Sequence, residues 1–103
     1  MPESVMIDAV RYAVLRVKEP LILEGHACNA VVEYNTAQIK MLEDGNIGEG
    51  NAAKLLMHEI VHALLFERGM TEAAADEALV SELTAGFVNL VRANPQLIAF
   101  LQK

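Results

Sequence analysis

The chain has no tryptophan, two tyrosines, three phenylalanines and one cysteine. With so few aromatics, its core has to come from Leu, Ile, Val, Ala and Met. Hydrophobic residues make up 53% of the 103 positions, enough for one domain, 1–103, that needs no covalent staple. Cys28 alone cannot close an internal disulfide, and no CxxC pair exists. We read it as a small packed hydrophobe, and a lone thiol fits a reducing compartment. Basic residues are also few, eight Lys and Arg against fourteen Asp and Glu, for a net charge of −6. This balance excludes the broad basic face of a nucleic-acid binder and the polybasic patch of a membrane anchor. No apolar run reaches membrane-spanning length, and Met1-Pro2-Glu3-Ser4 lacks the pattern of a signal peptide. The expectation is a cytoplasmic protein whose partner is neither nucleic acid nor membrane.

The first forty residues favour strands. Tyr12 to Val17 is a β-prone run that Glu19-Pro20 interrupts. Asn29 to Tyr34 and Ala37 to Met41 read as a hairpin with Asn35-Thr36 as a two-residue turn. The glycine-rich stretch from Glu43 to Gly50 lacks the Lys-Ser/Thr of a phosphate loop and reads as a connector. Helical spacing follows. Asn51 caps a helix from Ala52 to about Arg68, and Gly69 stops it. Thr71 caps a second helix from Glu72 to Ala93, whose apolar stripe is Leu79, Val80, Leu83, Phe87, Leu90 and Val91. Pro95 opens a short last helix through Leu101. Strands first and helices after predict an α+β fold: a small antiparallel sheet of about three strands packed on two antiparallel helices, with a short C-terminal helix.

Within the first of these helices stands His58-Glu59-Ile60-Val61-His62. Histidines four apart lie one turn apart on the same face, within reach of one ion. Neutral imidazole is a good ligand for Zn2+, and the intervening Glu59 projects beside the ion, where it can take a proton from water that the ion activates. On a helical wheel these three share an arc away from Met57, Ile60, Val61 and Leu64. The helix is apolar on most of its circumference, so it should be buried, and a buried polar arc has to be paired or metallated. At ordinary residue frequencies the five-residue pattern arises by chance in on the order of one in a few hundred chains of this length, so we read it as a site.

A catalytic zinc has three protein ligands and an open position. His26, in an expected loop, is the remaining histidine and the weakest choice for the third ligand. Folding the two helices back on each other about Gly69 to Thr71 puts Glu77 level with His62 and Glu82 near His58, with Asp76 pointing more along the apolar stripe. Geometry leaves Glu77, Glu82 and Asp76 open, and the ordinary fate of each is a solvated carboxylate.

Leu55-Leu56-Met57-His58-Glu59-Ile60-Val61-His62-Ala63-Leu64-Leu65-Phe66-Glu67-Arg68-Gly69 resembles the active-site helix of small phage- and mobile-element-encoded zincin-like proteins related to the ImmA/IrrE metallo-endopeptidases. Val32 to Asn35 with Gln38 to Lys40 is similar to the family's hairpin, Glu77 to Phe87 to its following helix, and Asn94-Pro95 to Ile98 to its closing segment, covering roughly residues 29–100. The resemblance implies a minimal zincin-like domain and a zinc-dependent peptidase acting on a protein or peptide. Its third ligand is a glutamate three before a small or apolar position, which corresponds to Glu77 before Val80; where the family carries Asn next, this chain has Ser81. The metal set it implies is His58, His62 and Glu77, with Glu59 as general base. The second strand of the hairpin, 37–41, could align a peptide as an edge strand. Tyr34 or Tyr12 could donate to the developing oxyanion, although packing is the commoner role of a tyrosine. The alternatives are a zinc-binding module without peptidase activity and an accessory interaction protein of a phage or mobile element.

Overall fold

The computed structural model describes residues 1–43 and 48–103, apart from the side chain of Glu49. Half of the loop read as a connector, 44–47, lies outside the described residues. The fold is α+β: β1 (Ser4–Ile7), β2 (Val10–Val17), β3 (Leu21–Leu23), β4 (His26–Cys28), β5 (Ala30–Glu33) and β6 (Gln38–Leu42), followed by α1 (Glu49–Glu67), α2 (Thr71–Ala74), α3 (Glu77–Ala93) and α4 (Pro95–Leu101).

The main sheet has four strands in the order β1-β2-β6-β5. It is mixed, which corrects the antiparallel expectation. β1–β2 and β5–β6 are antiparallel hairpins, but β2 and β6 run parallel, with Val14 opposite Ile39 and Arg16 opposite Met41. Alternation decides which face of a strand is buried, and it does not say which neighbour the strand pairs with. β6 is therefore interior, paired on both sides, and cannot be the edge expected of 37–41; the edges are β1 and β5. The Asn35-Thr36 turn is present but longer than two residues. Ala37 N–H donates to the Tyr34 carbonyl at 3.2 Å, and Ala37 itself takes φ +51°. A turn followed by one left-handed residue is a common hairpin closure. β3 and β4 form a separate hairpin turned by Glu24 and Gly25, both at positive φ.

One face of the sheet packs on α1. Tyr12 and Val14 of β2, Ile39 and Met41 of β6, Ala30 of β5 and Ile7 of β1 meet Leu56 and Ala63. These strand residues obey the two-residue period of a half-buried sheet. α1 begins earlier than expected: Gly48 is its N-cap and its carbonyl accepts from Ala52 N–H, so Asn51 lies inside the helix. Its end follows the sequence. Gly69 takes φ +79°, with Gly69 N–H on the Phe66 carbonyl and Met70 N–H on the Leu65 carbonyl, a Schellman closure that favours glycine.

The second expected helix is two. Thr71 starts the one-turn α2 and makes no capping bond; the chain then breaks at Ala75 and Asp76, and the Asp76 carboxylate accepts from Leu79 N–H at 3.1 Å as the N-cap of α3. α3 buries Val80, Thr84 and Val88, while Leu79, Phe87, Leu90 and Val91 of the expected stripe stay exposed. α3 packs chiefly on α1, and a single helix seam covers one i, i+4 ridge instead of a broad face. α1 is thus enclosed between the sheet and the α2–α3 pair. No helix among the described residues is long and apolar enough to cross a membrane.

Candidate metal centre

α1 presents two ridges toward the site. His58 and His62 stand at i, i+4 on the side facing α2 and α3, and Phe66, the next residue at that spacing, stacks on Tyr34. Glu59, expected on the same arc as the histidines, instead belongs to the neighbouring line with Ala63 and Glu67 that faces the sheet, because the strands cover that side of α1. The break between α2 and α3 sets Glu77 in the first turn of α3, opposite both histidines.

Glu77 Oε1 lies 2.7 Å from His62 Nε2, and Oε2 lies 3.1 Å from His58 Nε2. His62 Nδ1 lies 2.6 Å from the Ala74 carbonyl oxygen. A carbonyl only accepts, so Nδ1 carries the proton; in the neutral ring Nε2 is then a bare lone pair directed at Glu77. A bare nitrogen and a carboxylate oxygen at 2.7 Å require positive charge on or between them, supplied by protons or by a metal ion. Ligand atoms of His58, His62 and Glu77 all fall within 4.8 Å of one another. Two imidazole nitrogens and one carboxylate oxygen are a donor set that suits zinc. His62 is buried, His58 half-buried, and the Glu77 side chain 70% exposed, so the group opens to solvent on the α3 side.

The other expected ligands stand apart from this group. Asp76 is engaged in capping α3. Glu82 lies exposed farther along α3, outside the cluster. His26 lies in a strand, exposed on β4, where its carbonyl takes a weak bond from the Cys28 thiol at 3.5 Å. Cys28 is half-buried.

Glu59 is buried, at 6% exposure. Burial pushes its carboxyl up from 4.5 to about 7; positive charge on His62 pulls the other way, and Glu77 adds a further push upward. A group balanced near neutrality is suited to accepting and returning a proton.

The two tyrosines part company. Tyr12 is fully buried, and its hydroxyl donates to Glu67 at 2.6 Å; burial and this carboxylate push its pKa up. It ties β2 to α1 and cannot reach a substrate. Tyr34 stacks on Phe66, centroids 4.0 Å apart and planes within 5°. Burial raises its pKa, and the charges of Glu59 and then Glu77 raise it further, so its hydroxyl feels both carboxylates of the site.

Reading side chains alone could not find the Ala74 carbonyl, which orients His62. The signal that could have found it is Asp76 immediately before Glu77, an N-cap residue that announces a new helix and hence a free carbonyl just before it.

Compared with family models, with curated proteins and with solved structures, the chain matches none.

Proposed function

We propose that this protein is a zinc-dependent metallopeptidase, with His58, His62 and Glu77 holding the ion. The observation that carries this reading is the convergence of three lone-pair donors at 2.7 and 3.1 Å, with the tautomer of His62 fixed from behind by the Ala74 carbonyl. Zinc, when bound, supplies a Lewis acid that makes water acidic near neutral pH and polarises a carbonyl.

The chain's own residues supply the rest. Glu59 accepts the proton of the attacking water and returns it to the leaving amine. Tyr34 donates its hydroxyl to the oxygen on which charge develops. Because β6 is interior, an extended peptide would be aligned by the edge strand β5, which packs directly on α1 and leads into Tyr34.

Two features favour catalysis over a purely structural ion. Structural zinc sites are closed by four protein ligands, whereas three converge here among the described residues. Glu59 also keeps a carboxyl in a buried position beside them at a cost to stability. The lone cysteine and the resemblance of the α1 segment add a cytoplasmic setting, in a phage or mobile element, to the proposal. The test is zinc content together with Glu59→Gln. The variant is expected to retain zinc and fold while losing cleavage of a protein substrate; unchanged cleavage would contradict the assignment.

A further inference from the structure

Beside the metal group, α1 and α3 leave an open groove of about 350 Å³, lined by Asn51, Lys54, Leu55, His58, Ser81 and Thr84. Its positions follow from the helix period. Lys54 is one turn before His58 on α1, and Ser81 is one turn after Glu77 on α3. Because the helices lie antiparallel and His58 meets Glu77, Lys54 and Ser81 flank the next step of the same seam. The floor is set by Thr84, whose hydroxyl is buried and donates to the Val80 carbonyl at 2.7 Å. Thr84 therefore shapes the groove, and Lys54, Asn51 and Ser81 are left to offer donors to a ligand.

The charge of this groove runs against that of the molecule. Acids outnumber bases fourteen to eight, yet none of the lining residues is a carboxylate and one is a lysine. An ammonium on a groove wall that also carries a hydroxyl and an amide offers a carboxylate charge-assisted donors, the strongest hydrogen bonds available to an anion.

We propose that this groove is the specificity subsite of the metal centre and binds a carboxylate of the substrate, with Lys54 as the determining residue. The proposal deepens the peptidase reading and rests on it for the identity of the substrate. The four-residue step along each helix is ~6 Å, about two residues of an extended peptide. The favoured carboxylate thus lies within about two residues of the bond at the metal. It is supplied by an acidic side chain or by the peptide's C-terminus; both present the same anion.

The test is an amide-resolved NMR titration of the full chain, zinc-free and zinc-loaded. Three short acetylated peptides serve as probes: an all-alanine acid, the same peptide as its amide, and an amide with one alanine replaced by glutamate. At least one carboxylate peptide is expected to shift the amides of Asn51, Lys54, Ser81 and Thr84 in the zinc-free protein, where the anion has no metal to bind. It should bind about tenfold or more tightly than the neutral amide. Lys54→Met should erase that preference and Lys54→Arg should keep most of it, both with unchanged zinc content. Response to the acid alone identifies a C-terminal carboxylate, and response to the glutamate peptide alone identifies a side chain.

Equal binding of all three peptides overturns the proposal, as does a Lys54→Met preference equal to wild type. So does a carboxylate effect that appears only with zinc and is confined to His58 and His62. Failure to bind zinc would count against the peptidase reading, and the zinc-free titration would still decide the groove.

Discussion

Glu59→Gln has an effect on stability that can be worked out before any substrate is known. In the zinc-free protein the folded state holds the Glu59 proton up to about pH 7, whereas the unfolded chain releases it near 4.5. Between those values the folded state binds more protons than the unfolded state, so the Glu59 contribution falls as pH rises through this window. Below pH 4.5 the carboxyl is protonated in both states and resembles a glutamine. At roughly 1.4 kcal/mol per pH unit, the full loss above pH 7 is ~3 kcal/mol. Glutamine is neutral throughout and escapes this loss. The variant should therefore be ~3 kcal/mol more stable than wild type at pH 8 relative to their difference at pH 4.5, which for a domain of this size is a melting difference of about 10–20 °C. The assay is thermal or urea unfolding at both pH values in the presence of a chelator, repeated with zinc, whose charge beside Glu59 should shrink the gap. Equal melting at pH 8, or a gap of the same size at both pH values, would show that ionising Glu59 in its buried position costs nothing.

Other perturbations test separate parts of the structure. Tyr34→Phe should lower kcat by about tenfold to a hundredfold with KM and zinc content nearly unchanged, if its hydroxyl meets developing charge; equal kcat would remove it from the site. Tyr12→Phe strands a carboxylate at Glu67 and should cost ~1–3 kcal/mol in denaturant unfolding while leaving zinc binding intact. Asp76→Ala removes the cap of α3, with an expected loss of ~1 kcal/mol, and because Glu77 is the next residue it should also weaken zinc affinity, measured by competition with a chelator. Gly69→Ala forces a Cβ into φ +79° and should cost ~1 kcal/mol at the α1 closure; a smaller change would mean that the turn adapts.

The sequence shows the site more plainly than the fold around it. His58, Glu59 and His62 are legible because the helical period alone places them on one helix, and the Gly69 stop brings the following segment back beside it. The same turn brings Glu77 level with His62, but it leaves Glu82 and Asp76 open as well, and only the resemblance favours Glu77 among the three. The sheet is less legible. β1 and the β3–β4 hairpin are strands of three or four residues, too short to show a period, although Glu24-Gly25 is a usable turn signal. The parallel pairing of β2 with β6 depends on which strands meet after the chain has wandered through β3, β4 and β5, and nothing in either strand encodes it. The break at Ala75 and Asp76 is hidden by good helix formers on both sides, so an apparently continuous helix conceals the carbonyl that fixes His62. The α3 stripe misleads for a different reason: apolar residues exceed the single seam available to bury them, and Phe87, Leu90 and Val91 remain outside.

His58, His62 and Glu77 are proposed to form one zinc site. Metal analysis of the protein purified without chelator and equilibrated with zinc tests it most directly, with His62→Ala and Glu77→Gln measured alongside. About one zinc per chain is expected in wild type, with near-complete loss in His62→Ala and weakened retention in Glu77→Gln. A wild-type protein that holds no stoichiometric zinc, or a His62→Ala variant that holds as much as wild type, would contradict it.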